Sequence, residues 1–255
     1  MSTRVRDSLM GAFGELRHEP TEKRVRAQAS GRDVIDTTSA LLVWEPGRMV
    51  PRYAVPVDEL DAGLAPAQGQ VPDRTTAGES LDVLVEGERL EAAAFRPVDP
   101  DLGGHVILDH GAFDGWYEEE EPIVGHPRDP FHRIDIRHSS RSIRVELDGT
   151  VLAESSEPTL LFETHLPMRF YLPRRDLALT ATPSSKRTVC AYKGEASHWS
   201  FGLPGGDDLA WSYEDPLVDA VQIKGLVAFY DEQVDVVLDG ERRARPRTQW
   251  SRGQS

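Results

Sequence analysis

The chain has 255 residues, a formal net charge of -14, 39% hydrophobic and 28% charged residues. That balance suits a globular protein and is too apolar for wholesale disorder, while the acidic surplus argues against nucleic acid or a membrane surface as partner. The single cysteine, Cys190, excludes an intramolecular disulfide and a cysteine-built zinc site; with no apolar run near the roughly 20 residues of a membrane span and no signal-like start, a cytoplasmic location is expected.

Taken in chain order, residues 5–17 read as a helix within an N-terminal extension, 1–19. A first β-rich segment, 20–137, follows. It holds a loop rich in Ala, Pro, Gly and Gln at 61–74 and an apparent insertion at 109–131, with a helix across 111–120 that carries Phe113, Trp116 and Tyr117. The polar stretch Arg137–Arg141 reads as a connector. Ile143–Leu147 alternates apolar and polar residues and ends at Asp148-Gly149, a hairpin signal. Thr188–Tyr192 reads as a strand. Asp215-Pro216 reads as a cap and first residue of a short helix, and Leu226–Tyr230 and Val234–Leu238 as paired strands. Residues 242–255 read as a disordered polar tail.

The two halves repeat one pattern. Val34-Ile35 aligns with Val151-Leu152, and Leu42-Val43-Trp44-Glu45 with Leu160-Leu161-Phe162-Glu163. Arg52, Tyr53, Val55 and Pro56 align with Arg169, Tyr171, Leu172 and Pro173. Thr76–Glu79 aligns with Tyr192–Glu195, and Arg133–Ile136 with Gln233–Val236. The fold expected is therefore mainly β: two tandem small antiparallel domains, 20–137 and 142–241, with a few short helices, packed on each other as a pseudo-dimer.

The second copy resembles the family called domain of unknown function 427, which is common in bacteria. The resemblance rests on Phe162–Pro173, Cys190-Ala191-Tyr192-Lys193-Gly194-Glu195-Ala196, Trp211–Pro216 and Ala228-Phe229-Tyr230, in that order across 142–241. The first copy resembles a diverged member that has lost the Tyr-Lys-Gly motif. The resemblance implies a small antiparallel β fold of tent-like topology. Its zinc-binding relatives use paired cysteines, which this chain lacks, so no metal and no cofactor is expected. The family has also been likened to nucleotidyltransferases, but no Gly-Ser pair with spaced aspartates is present, and the resemblance implies no particular reaction.

The expected site lies in the second copy. Arg169, Tyr171, Tyr192, Lys193, Trp199 and Tyr213 would line a pocket for a small anionic or polar metabolite: aromatic walls with a few polar anchors describe such sites. Lys193 is the best catalytic candidate, because a desolvated amine becomes a base or nucleophile; the same lysine also reads as an ordinary turn residue. Glu45 with Arg52, and Glu163 with Arg169, read as structural ion pairs common to both copies, or as a site carboxylate with a substrate-binding arginine. Cys190 reads as a small core residue, or as a thiol served by His165 or His198. Glu118–Glu121 with His126 and His132 reads as an acidic surface rather than a metal site. The competing function is a non-catalytic interaction module whose surface is the segment 109–131, with Phe113, Trp116 and Phe131 exposed.

Overall fold

The computed structural model describes residues 10–251, together with Ser2 and Asp7. The protein is mainly β, with a few short 3-10 turns, and it divides into two compact units, Met1–Asp129 and Pro130–Ser255.

The first unit has strands β1 (Arg17–Pro20), β2 (Val25–Ala29), β3 (Arg32–Thr37), β4 (Leu41–Trp44), β5 (Arg52–Pro56) and β6 (Gly63–Pro66). They are followed by β7 (Gly78–Val85), β8 (Glu88–Pro97), β9 (His105–Leu108), β10 (Gly115–Glu118) and β11 (Glu121–Pro122). They form a seven-stranded sheet, ordered β1-β4-β5-β9-β8-β7-β6, and a four-stranded sheet, ordered β11-β10-β2-β3. The second unit has β12 (Ile134–His138), β13 (Ile143–Leu147), β14 (Thr150–Ser155), β15 (Thr159–Glu163), β16 (Arg169–Leu172) and β17 (Ala181–Cys190). Its remaining strands are β18 (Gly194–Phe201), β19 (Ala210–Ser212), β20 (Val227–Phe229), β21 (Asp235–Leu238) and β22 (Glu241–Arg242). Its sheets run β12-β15-β16-β20-β19-β18-β17 and β14-β13-β21-β22. Adding eleven to each label of the first unit reproduces the second.

Local chemistry sets the hairpins. Ser30-Gly31 joins β2 to β3, and Asp148-Gly149 joins β13 to β14, with positive φ at both residues of each pair. Such turns match the twist of paired strands, and glycine takes the second position without a Cβ penalty. The irregularities coincide as well. A bulge falls between Ile35 and Asp33 in β3 and between Ala153 and Val151 in β14. Ile35 bridges Leu60, as Ala153 bridges Leu177.

In each unit, one face of the large sheet packs with the small sheet into an apolar core. Val25, Ile35, Tyr53, Val55, Val83 and Trp116 belong to the first core, and Ile143, Leu152, Phe170, Leu172, Phe229 and Val236 to the second. Period-two alternation sends the intervening residues to the other face. There the first unit places Val43, Ala54, Phe95 and Ile107, and the second places Leu161, Tyr171, Trp211 and Ala228.

Several expectations from the sequence are corrected. Arg133–Ile136 does not end the first copy: β12 pairs with β15 and is the counterpart of β1. The first unit accordingly already includes Arg17–Pro20. Of the expected connector, Arg137 and His138 end β12, and 139–142 join it to β13 within the second unit. Segment 109–131 is no insertion, since β10 and β11 complete the small sheet as β21 and β22 do. Its central part is strand β10 rather than a helix, because Trp116 alternates into the core while Tyr117 and Glu118 remain half-buried. The loop 61–74 contains β6, and β20 and β21 lie in different sheets, so they do not pair. The 3-10 turn after Pro216 begins only at Val218, with Leu217 at its cap. Thr248 and Trp250 of the expected tail pack back on the second unit. Of the expected N-terminal helix, 5–17, residues 5, 6, 8 and 9 lie outside the described residues; Asp7, Met10 and Gly11 are helical, 12–15 form turns and a bend, and Arg17 opens β1.

The pairing register also refines the repeat. Leu42 pairs with Tyr53 as Leu160 does with Phe170, so the counterpart of Tyr53 is Phe170 and that of Tyr171 is Ala54. Bulge positions match Val34 with Leu152, one residue from the sequence alignment. Ser80 faces Phe95 and His198 faces Trp211, which places Gly78 opposite the role of Ala196 rather than Gly194. A one-residue slip in a strand exchanges its two faces, so such shifts decide which side chains are equivalent in position.

Candidate functional site

The outer face of the second unit's large sheet carries a buried polar layer. Glu163 ends β15 on that face. Its Oε2 accepts a hydrogen bond from Lys193 Nζ at 2.6 Å, and its Oε1 lies 3.0 Å from His132 Nε2. All three side chains are largely withdrawn from solvent. Lys193 sits in the turn between β17 and β18, which aims its amine back at the sheet. Burial pushes the Glu163 carboxyl upward, but His132 and Lys193 outweigh it and hold the carboxylate below its ordinary range. The His132 ring stacks on Tyr192 with centroids 4.2 Å apart.

Beside this triad lie Tyr171, Tyr213 and Cys190. Both phenols are buried, and burial drives their pKa values up, reinforced by the charge of Glu163 and by Cys190. They therefore stay protonated and serve as hydrogen-bond donors or acceptors. Trp211 Nε1 donates to Tyr171 Oη at 3.2 Å.

A second charged group adjoins on β16. Arg169 donates from both terminal nitrogens to Glu232, at 2.9 and 2.6 Å, a bidentate pair. Its guanidinium lies 5.6 Å from the Trp211 ring and 5.6 Å from the Trp250 ring. Burial opposes the charge on Arg169, yet Glu232 and Asp231 more than offset this and raise its pKa. Burial pushes the Asp231 carboxyl up to about 7. Thr248 Oγ1 donates to Glu232 at 2.6 Å and completes the group.

Of the six residues expected to line one pocket, Arg169, Tyr171 and Tyr213 share this outer face, and Lys193 and Tyr192 approach it from the turn. Trp199 does not join them. It points to the inner face, under the Arg174 guanidinium at 4.3 Å, and its Nε1 donates to Ser212 Oγ at 2.7 Å. There it borders a separate open cavity of about 370 Å³ with Leu177, Leu179 and Val227. Strand alternation explains the split: His198 faces the polar layer, so Trp199 cannot.

The expected common Glu–Arg pair also divides. Glu45 is bonded by Arg52, as expected. Glu163 instead takes Lys193 and His132, and Arg169 takes Glu232. Sequence reasoning missed His132 and Glu232 as partners, since both lie far along the chain from the residues they hold. His198, considered from the sequence as a base for Cys190, meets Thr188 Oγ1 at 2.9 Å through its Nε2. The acidic run is exposed at Glu119, Glu120 and Glu121, as expected, and is also paired: Glu118 accepts from Lys23 and Tyr53, and Glu119 and Glu120 accept from Arg24 and Arg26 of the β2 region. Phe113 and Trp116 are buried, so of the three aromatics expected on an interaction surface Phe131 is the exposed one.

No helix among the described residues is long and apolar enough to cross a membrane. No curated protein matches the chain. A family model described as domain of unknown function (DUF427) matches residues 135–240, from β12 to the turn after β21, and the second unit is in this respect similar to that family.

Proposed function

We propose that the second unit binds a small anionic or polar metabolite at the Glu163–Lys193–His132 cluster, with Tyr171, Tyr192 and Tyr213 as its aromatic and hydroxyl walls and Arg169 as a flanking cation. One observation carries this reading. The first unit, with the same strand order, holds Glu45 with arginines at the position of Glu163 and fills the rest of the corresponding sheet face with Val43, Ala54, Phe95 and Ile107. The fold therefore does not need tyrosines and a lysine there. Withdrawing an ion pair from water yields little or no net stability compared with apolar packing, so a buried Lys–Glu–His group is better explained by use than by stability. An amine and an imidazole held on one carboxylate are also the groups that proton transfer employs, with Lys193 the leading catalytic candidate. We further infer that the two units descend from one duplicated domain and that the site was kept in the second.

The test is a thermal-shift screen of small carboxylates, phosphate esters and polyols on the full chain, repeated with Lys193→Met and Glu163→Gln. Lys193→Met is expected to lower stability by about 3 kcal/mol, the scale for breaking a buried pair. At least one compound class should raise the wild-type Tm and lose that effect in both variants. A screen in which every stabilising compound acts equally on Lys193→Met would refute the site, as would a screen without hits.

A further inference from the structure

The first unit holds an incompletely satisfied charge cluster at the same end of β4. Glu45 is buried, with 2% of its side chain exposed, and Arg74 exposes 6% of its own. Arg52 and Arg74 both bond to the same oxygen of Glu45: Arg52 closely, and Arg74 through Nη1 at 3.2 Å. Glu45 Oε1, Arg74 Nε and Arg74 Nη2 are buried without a hydrogen-bond partner. They are three of seven such side-chain atoms among the described residues, and no other site gathers both a cation's donors and a carboxylate's acceptor. Buried polar groups are paired as a rule, and leaving a charged one unpaired costs several kcal/mol.

The pattern has a direction. Nε and Nη2 form one edge of the planar guanidinium, two parallel N–H groups spaced for the two oxygens of a carboxylate. The other edge is committed to Glu45. Charge agrees with geometry: two guanidinium groups face one carboxylate, leaving one positive charge in excess, with Asp109 acting on Arg74 only at longer range. Burial, and next the repulsion from Arg52, accordingly hold the pKa of Arg74 below its ordinary value. The guanidinium carbon lies 4.8 Å from the Phe95 ring centroid. Arg74 is carried by the segment between β6 and β7, tied down by Thr75 Oγ1 on Pro46 O at 2.8 Å and by Arg48 on Asp73 O at 3.3 Å. Loops of this kind commonly present binding groups over a rigid sheet.

We propose that the first unit has its own ligand site, at Arg74 and Glu45, for a small carboxylate that also bears a hydrogen-bond donor, such as a 2-hydroxy or 2-amino acid. The carboxylate takes Arg74 Nε and Nη2, and the hydroxyl or ammonium donates to Glu45 Oε1. A phosphate would set a second negative charge against Glu45 and fits less well. This site is independent of the one in the second unit.

Isothermal titration of the full chain with glycolate, glycine, acetate and inorganic phosphate tests it. Glycolate or glycine should bind at least tenfold more tightly than acetate or phosphate. Arg74→Lys keeps the charge but loses the fork and should abolish that binding, whereas Lys193→Met should leave it intact, which separates it from binding in the second unit. Glu45→Gln should reduce the preference for glycine over acetate to near unity. This second variant decides the matter if Arg74→Lys does not fold. No binding by any of the four probes, equal binding by Arg74→Lys, or an unchanged preference in Glu45→Gln would each overturn the proposal, leaving internal hydration as the role of those atoms.

Discussion

Arg52 and Arg169 occupy one register position, each opposite an apolar residue of the neighbouring strand, yet they select different carboxylates. Arg52 reaches back to Glu45, whereas Arg169 turns to Glu232 and leaves Glu163 to Lys193 and His132. Position fixes where a guanidinium starts, and its neighbours decide where it ends. The same applies to His110, a histidine that burial keeps neutral. Burial first, and repulsion from His126 next, lower its pKa from 6.5 to about 4. Its ring stacks on Trp116 at 5.2 Å. Between those pH values the unfolded chain takes up a proton that the folded chain resists, so the contribution is complete above about 6.5 and lost as pH falls toward 4. Urea titrations across that window should show wild-type stability falling with acid, and a shallower fall in His110→Gln. An identical slope would remove His110 from the account.

Among elements, the segment after β22 changes most from its expected character. Its polar composition suggests a free tail, but Thr248 caps Glu232 and Trp250 covers Arg169 and Tyr230. Gln233 also donates to the Trp250 carbonyl at 3.1 Å. Packing one indole against the sheet is worth about 2 kcal/mol, and a hydrogen bond to a buried carboxylate about 1–2 kcal/mol. Trp250→Ala and Thr248→Val should each lower the unfolding free energy, read from denaturant titrations, by amounts of that order. No change in either would mean that the segment does not rest on the second unit in solution. The hairpin β10–β11 offers the opposite lesson. Its run of glutamates reads as solvated and is exposed at 119–121, yet Lys23, Arg24 and Arg26 come alongside through strand pairing that no local pattern announces.

At the scale of the whole molecule, each unit has its own core between two sheets. A domain of this size buries enough apolar surface to fold alone. The fragment 130–255 should therefore give a cooperative thermal transition and keep the near-ultraviolet signal of Trp211 and Trp199. A fragment cut at 142, the boundary suggested by the sequence, lacks β12, exposes the edge of β15 and should aggregate. If both fragments behave alike, β12 is dispensable and the unit boundary is wrong.

Much of this was legible in the sequence. Period-two alternation, Asp-Gly and Ser-Gly turns, and the recurring apolar run before Glu45 and Glu163 determine a β protein of two similar parts. Those signals are local, and hairpin physics is local too. Register, sheet membership and ion-pair choice are not. Tyr53 and Tyr171 look equivalent in one dimension but face opposite sides of their sheets, because a single residue of slip reverses a strand. Lys193 and Arg169 could be named from the chain as candidate anchors. That Lys193 is held by Glu163 and His132, that Trp199 leaves the group, and that Arg74 has two donors without a partner depend on side chains brought together across the sheets, and only the tertiary structure decides them.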